Sequence, residues 1–158
     1  MSTDKIKMRA DEVSRRNFLI GGAAFSALVA SDHASAEEPP KSRLSTHVLD
    51  TYHGAPAAGM KIEFLKLEGE SYGLVKSVTT NVEGRVDEPL LPVAGAAAIG
   101  RYQLVFHLSD YFKASGVTLP DPPFLDKVVI HFAIYEDKEH YHVPLLCSPW
   151  SHSTYRGS

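Results

Sequence analysis

Beyond Ser42, apolar side chains recur mainly at every second position and hardly anywhere at every third or fourth, which commits the chain to strands. Leu44, Thr46 and Val48 alternate with Ser45, His47 and Leu49, and Tyr52-His53-Gly54-Ala55-Pro56 closes the run with a turn. Met60, Ile62 and Phe64 alternate with Lys61 and Glu63, then the phase slips to Leu65 and Leu67, which predicts a bulge near Phe64 and a strand end at Glu68-Gly69. Further alternating runs cover 74–80, 101–109 (Tyr102, Leu104, Phe106 and Leu108 on one face) and 127–135 (Val128, Ile130, Phe132 and Ile134 on one face). One short helix is expected, Tyr111 to Ser115, capped by Ser109 or Asp110 and stopped by Gly116. Short strands, frequent turn residues and almost no helix predict an all-β sandwich.

A length of 158 residues leaves room for one such domain. Cys147 is the single cysteine, so an intrachain disulfide and a thiolate metal cluster are both excluded within one subunit. The net charge of −3, with no basic run interleaved with aromatics, argues against a nucleic-acid partner and for a small neutral or anionic ligand. The first segment has the form of an address. Lys5, Lys7 and Arg9 precede Ser14-Arg15-Arg16-Asn17-Phe18-Leu19 and an apolar stretch from Ile20 to Ala30, with Ala34-Ser35-Ala36 behind it. This resembles a twin-arginine signal peptide over residues 1–36, cleaved after Ala36. The expected outcome is export, to the periplasm or its equivalent, without stable membrane association once the leader is gone; an uncleaved anchor is the alternative. Removing 1–36 takes away five Lys/Arg and four Asp/Glu and leaves 11 basic against 15 acidic side chains, a net −4. Residues 37–42 form a polar, proline-stiffened linker, and the domain runs over 43–158.

Seven of the eight histidines lie after the leader. His140-Tyr141-His142 stands out, because residues two apart on a strand share a face and can present two imidazoles to one ligand. A catalytic zinc wants a third protein ligand, and none stands at a suitable spacing, so no metal is expected. Pro144 in the same strand removes a backbone donor, which fits an edge, a bulge or a functional surface. The chain ends on Tyr155-Arg156-Gly157-Ser158, which brings together a phenol, a guanidinium and a terminal carboxylate.

Three separated segments then make a pattern. Leu44-Ser45-Thr46-His47-Val48-Leu49-Asp50-Thr51 with Gly54-Ala55-Pro56-Ala57 resembles the first strand and turn of the transthyretin-like family, with His47 at the place that marks its hydrolase branch. Thr80-Asn81-Val82-Glu83-Gly84-Arg85 is similar to that branch's second motif, which usually has Asp where Glu83 stands. His140 to Leu146, Ser148-Pro149 and Ser153 to Ser158 match the third, with Cys147 and Trp150-Ser151-His152 as small departures. Three motifs in order make a specific signal.

The resemblance implies a transthyretin-like β-sandwich of seven or eight strands that assembles as a homotetramer, with active sites in a central channel. It implies hydrolysis of 5-hydroxyisourate to 2-oxo-4-hydroxy-4-carboxy-5-ureidoimidazoline in urate breakdown, without a cofactor. The implied catalytic set is His47, Arg85, His142 and Ser158, and His47, Arg85 and Tyr155 would bind substrate. Amide hydrolysis needs a base for water, a stabiliser for the oxyanion and an acid for the leaving nitrogen. Two imidazoles and a guanidinium supply these, with the base open between His47 and His142. The competing readings are a carrier that uses the same channel without chemistry, and an interaction module on a common sandwich scaffold.

Overall fold

The computed structural model describes residues 44–91 and 98–157. The leader, the linker and Ser158 lie outside the described residues. The elements in order are β1 (Leu44–Ser45), β2 (Val48–Asp50), β3 (Ala55–Pro56), β4 (Lys61–Glu68), β5 (Ser71–Thr79), β6 (Gly100–His107), α1 (Leu108–Ala114), β7 (Lys127–Ile134), β8 (Tyr141–His142), β9 (Leu145–Ser148) and β10 (Ser151–Thr154). One four-stranded sheet has the order β5-β4-β6-β7, all antiparallel. A second has the order β10-β9-β2-β3, and a two-stranded piece joins β1 to β8.

That two-stranded piece belongs with the second sheet. Ser45 opposes His142 and Val48 opposes Leu145, both parallel and in one unbroken register, so β1 with β2 and β8 with β9 are two strands each interrupted once. On the far side, β9 and β10 pair antiparallel from Ser148 with Ser151 to Leu145 with Thr154, and the same register reappears at His142 with Gly157. Between them Pro144 would face Tyr155, and proline has no N–H to give that pair. The Thr154 hydroxyl instead donates to the Pro144 carbonyl at 2.7 Å. Counted as continuous runs, the ten segments make eight strands, within the expected seven or eight.

Burial follows the alternation. Leu44, Thr46, Val48 and Asp50 point inward, whereas Ser45, His47 and Leu49 are half-exposed on the outer face. One core cluster joins Leu44, Val48, Leu145 and Cys147 of this layer to Ile62, Phe64, Tyr102, Leu104, Phe106 and Val128 of the other. Each such fully buried side chain contributes about 1.5–3 kcal/mol. The Phe64 and Tyr102 rings stack at 5.2 Å, and the Tyr102 hydroxyl donates to the Ala98 carbonyl at 2.7 Å. The expected bulge is present as a register shift between Phe64 and Leu65, where the hydrophobic phase slips. β5 starts at Ser71, earlier than the alternating run at Leu74 predicts, because pairing with β4 extends to Glu68.

The buried Asp50 fixes the corner after β2. Its carboxylate accepts from the Tyr52 and His53 amides, from His53 Nδ1 at 2.6 Å and from the Tyr111 hydroxyl at 2.9 Å. Burial pushes its pKa up, but the bonds from His53 and Tyr111 outweigh burial and hold the carboxyl below its ordinary value. The helix differs from expectation. It begins at Leu108, with His107 at the N-cap position and no side-chain capping bond. Ser109 does not cap, because its hydroxyl donates to Asp126 and its amide to the Asp126 carbonyl, which ties the helix to the approach of β7.

Candidate active site

His47 sits in the gap between β1 and β2, on the outer face, where Arg85 opposes it through an isolated antiparallel bridge. The 81–85 loop is built to make that approach. Asn81 Oδ1 accepts from the Glu83 and Arg85 amides, the Asn81 amide donates to the Arg85 carbonyl, and Asn81 Nδ2 donates to Asp87. The Gly84 carbonyl accepts from the Val48 amide at 2.9 Å, which seats the loop against β2. The Arg85 guanidinium is exposed and makes no hydrogen bond or ion pair among the described residues. It is therefore available to a ligand.

His142 lies on the neighbouring strand, half-buried, directly across from Ser45. Its Nδ1 is 2.9 Å from Ser45 Oγ, and the same hydroxyl is 3.2 Å from His140 Nε2. Burial, then Arg85, His140 and His47, hold the His142 pKa below its ordinary value, against an opposing backbone bond with Ser45. His142 is therefore a neutral imidazole at pH 7, able to accept a proton. The four groups that act on it come from three separate segments of chain.

The tail closes the far side. The Gly157 amide donates to the His142 carbonyl at 2.8 Å, and a Cβ at Gly157 would lie 2.7 Å from His142 Cδ2 and 3.0 Å from its Cβ. The imidazole thus packs on backbone that only glycine offers. Arg156 holds this stretch in place: its guanidinium donates to the Tyr135 hydroxyl at 2.8 Å, pairs with Glu139 at 3.1 Å and lies 5.0 Å over the Tyr141 ring. A cleft of about 320 Å³ is lined by Glu139, His140, Arg156 and Gly157.

These features of sequence and fold coincide with known proteins. The model of the HIUase/Transthyretin family matches residues 44–157. The chain belongs to that family. It is 56% identical over 116 residues to "5-hydroxyisourate hydrolase 2" of Rhizobium meliloti (strain 1021), covering 73% of this chain and 96% of that relative. Over 125 residues it is 51% identical to the 5-hydroxyisourate hydrolase of Pseudomonas aeruginosa, covering 79% of this chain and 98% of the relative. Among solved structures, a 5-hydroxyisourate hydrolase from Klebsiella pneumoniae is 32% identical with a TM-score of 0.58, over 73% of this chain and 92% of that one. An (S)-allantoin synthase is 44% identical with a TM-score of 0.67, and there the match spans 73% of this chain and 43% of that longer chain.

As a member of the HIUase/transthyretin family, this chain has three of its expected site residues, His47, Arg85 and His142, gathered on one face. Tyr155 is 59% exposed, and the register puts it opposite Pro144 on the face that carries His142, with no hydrogen-bond partner among the described residues. Ser158 lies outside the described residues. Ser45, His140 and Gly157 also belong to the site. Ser45 and Gly157 carry no chemical signature of their own in sequence, but two half-exposed positions on one strand face, Ser45 and His47, are visible as an alternation. Gly84 has a φ of 70°, and a Cβ there would collide with the Val48 carbonyl oxygen. Gly84→Ala is therefore expected to cost at least about 1–2 kcal/mol from the left-handed backbone alone. The 81–85 loop would also be displaced. The measurement is a thermal melt paired with turnover: Tm should fall by about 5 °C or more, and activity should fall further than stability explains, because Arg85 moves with the loop.

Proposed function

We propose that this chain hydrolyses 5-hydroxyisourate to 2-oxo-4-hydroxy-4-carboxy-5-ureidoimidazoline, a step of urate breakdown, using its own side chains. The observation that carries the reading is the convergence of His47, Arg85 and His142 from three chain segments onto one outer face, with Arg85 unpaired among the described residues. His142 deprotonates a water as its oxygen attacks the ring amide carbonyl, and His47 orients that water from the neighbouring strand. Arg85 binds the planar, electron-rich substrate and stabilises the oxyanion as charge develops on the carbonyl oxygen. The proton held by His142 then passes to the leaving ring nitrogen as the C–N bond breaks, which leaves a ureido group and a carboxylic acid that releases its proton to solvent to become the carboxylate. Tyr155 donates to a substrate oxygen, and Ser158 is the fourth member of the proposed catalytic set. A carrier would have no use for two imidazoles and a guanidinium on one face.

Substrate generated in place by a urate oxidase, with its ultraviolet decay followed with and without the purified domain, tests the reading directly. Accelerated decay supports it, and unchanged decay removes it.

The assembly proposed is a homotetramer, whose support is the exposed aromatic set Tyr52, Trp150 and Tyr155 on the surface of the site-bearing layer. Export by the twin-arginine route is proposed from Ser14-Arg15-Arg16-Asn17-Phe18-Leu19 and the Ala34-Ser35-Ala36 sequence. Replacing Arg15 and Arg16 by lysine is expected to strand the precursor in the cytoplasm, because that route reads the pair as an address and not as charge. Fractionation followed by immunoblotting checks it, and a normal exported yield of the Lys-Lys variant excludes the route.

A further inference from the structure

We propose that Ser45 is a positioning residue: its hydroxyl, held between His140 Nε2 and His142 Nδ1, fixes which nitrogen of His142 carries the proton. The inference rests on the reading above, in which His142 takes a proton from water. A neutral imidazole has one N–H and one lone pair, and the partner of the inner nitrogen decides which is which. His142 Nδ1 is the inner nitrogen, 2.9 Å from Ser45 Oγ, so Nε2 is the one left for substrate and water.

A hydroxyl has a single proton to donate. Ser45 also lies 3.2 Å from His140 Nε2, so the three groups are within reach of a hydrogen-bonded chain that can run in either direction. When His142 Nδ1–H donates to Ser45 Oγ, and Ser45 O–H donates to His140 Nε2, His142 Nε2 holds a lone pair and is a base. In the reverse direction His142 Nε2 carries the proton and cannot accept one. The role of His142 as acceptor of a proton from water requires the first direction, with His142 Nδ1 as the donor. The geometry is enforced by the parallel register, which pairs Ser45 with His142 on adjacent strands, and by the Val143 amide, which donates to the Ser45 carbonyl at 3.0 Å. His140, exposed at the strand end, supplies the acceptor that closes the chain.

The test is nitrogen-15 NMR of histidine-labelled protein at pH 8, where the His142 ring is neutral, with steady-state kinetics on wild type, Ser45→Ala and Ser45→Thr. Wild-type His142 is expected in the Nδ1–H form. Ser45→Ala is expected to shift the ring toward Nε2–H, the form favoured by an imidazole in water, and to lower kcat by about 10- to 100-fold with KM nearly unchanged. Ser45→Thr keeps the hydroxyl and should recover both the tautomer and most of the turnover. An Nε2–H ring in wild type, or a tautomer and kcat unaltered by Ser45→Ala, overturns the proposal. A loss in Ser45→Ala that Ser45→Thr does not recover also overturns it, since packing alone would then account for the effect. A wild type that holds the Nδ1–H form and leaves 5-hydroxyisourate decay unchanged removes the functional reading while supporting the role of Ser45 in setting the ring.

Discussion

His142→Asn is expected to lower the turnover number by about 10²- to 10⁴-fold, the usual contribution of a general acid–base group, with secondary structure and oligomeric state preserved. Asparagine keeps a polar side chain of similar reach and removes the titratable nitrogen. The backbone partners of residue 142 are unchanged, because its carbonyl still accepts from the Gly157 amide. His140→Asn should do much less, since His140 is exposed and reaches the reacting nitrogen only through Ser45. A crippling His140→Asn beside a nearly silent His142→Asn would invert the assignment. Comparable losses restored by added zinc would favour a metal site.

The same residue sets the expected pH dependence. Burial first, and then Arg85, His140 and His47, hold its pKa below the ordinary histidine value, so the neutral form persists to lower pH than for a free imidazole. Activity should therefore hold through neutrality and fall as the pH drops through that lowered pKa. Arg85→Gln removes the largest of the charge contributions, so its residual activity should lose its acidic limb at a higher pH than wild type.

Removing residues 155–158 is expected to reduce turnover to below about 1% of wild type while leaving a folded domain. Displacement of a catalytic group by about 1 Å can cost on the order of 10²-fold. The tail is positioned to impose such a displacement if lost, because Gly157 forms the bed on which the His142 ring lies. Tyr155 and Arg156 are exposed, so the core loses no buried apolar side chain. What the fold gives up is the Gly157 amide bond to the His142 carbonyl, the Arg156 bond to the Tyr135 hydroxyl, and the Arg156 ion pair and ring contacts, the last worth roughly 0.2–1 kcal/mol each at an exposed position. Circular dichroism and a thermal melt read the fold, and the ultraviolet assay reads the chemistry. A collapse in Tm equal to the loss of activity would make the tail a structural strand.

Much of this molecule is local, and local features are readable from residue types. A period of two puts Leu44, Thr46 and Val48 inside and Ser45 and His47 outside, and the phase slip at Phe64 marks a bulge before any strand is paired. His140 and His142 share a face for the same reason, and Pro144 announces an interrupted ladder by the N–H that it lacks. The helix start was not legible, because Ser109 is a good cap by type and is occupied instead by Asp126, a partner supplied from outside the helix.

The alternation therefore determined the fold class, and with the three motifs it singled out His47, Arg85 and His142 before any distance was known. Only the tertiary structure could decide what surrounds them. Ser45 and His142 are 97 residues apart, and their contact exists because β1 and β8 pair in parallel. The need for glycine at 84 and at 157 arises from the Val48 carbonyl and the His142 ring, neither of which is near in sequence. Residue type and spacing encode which side of a strand a group occupies. Which group meets it from another strand depends on register, and register is settled by the packing of the whole core.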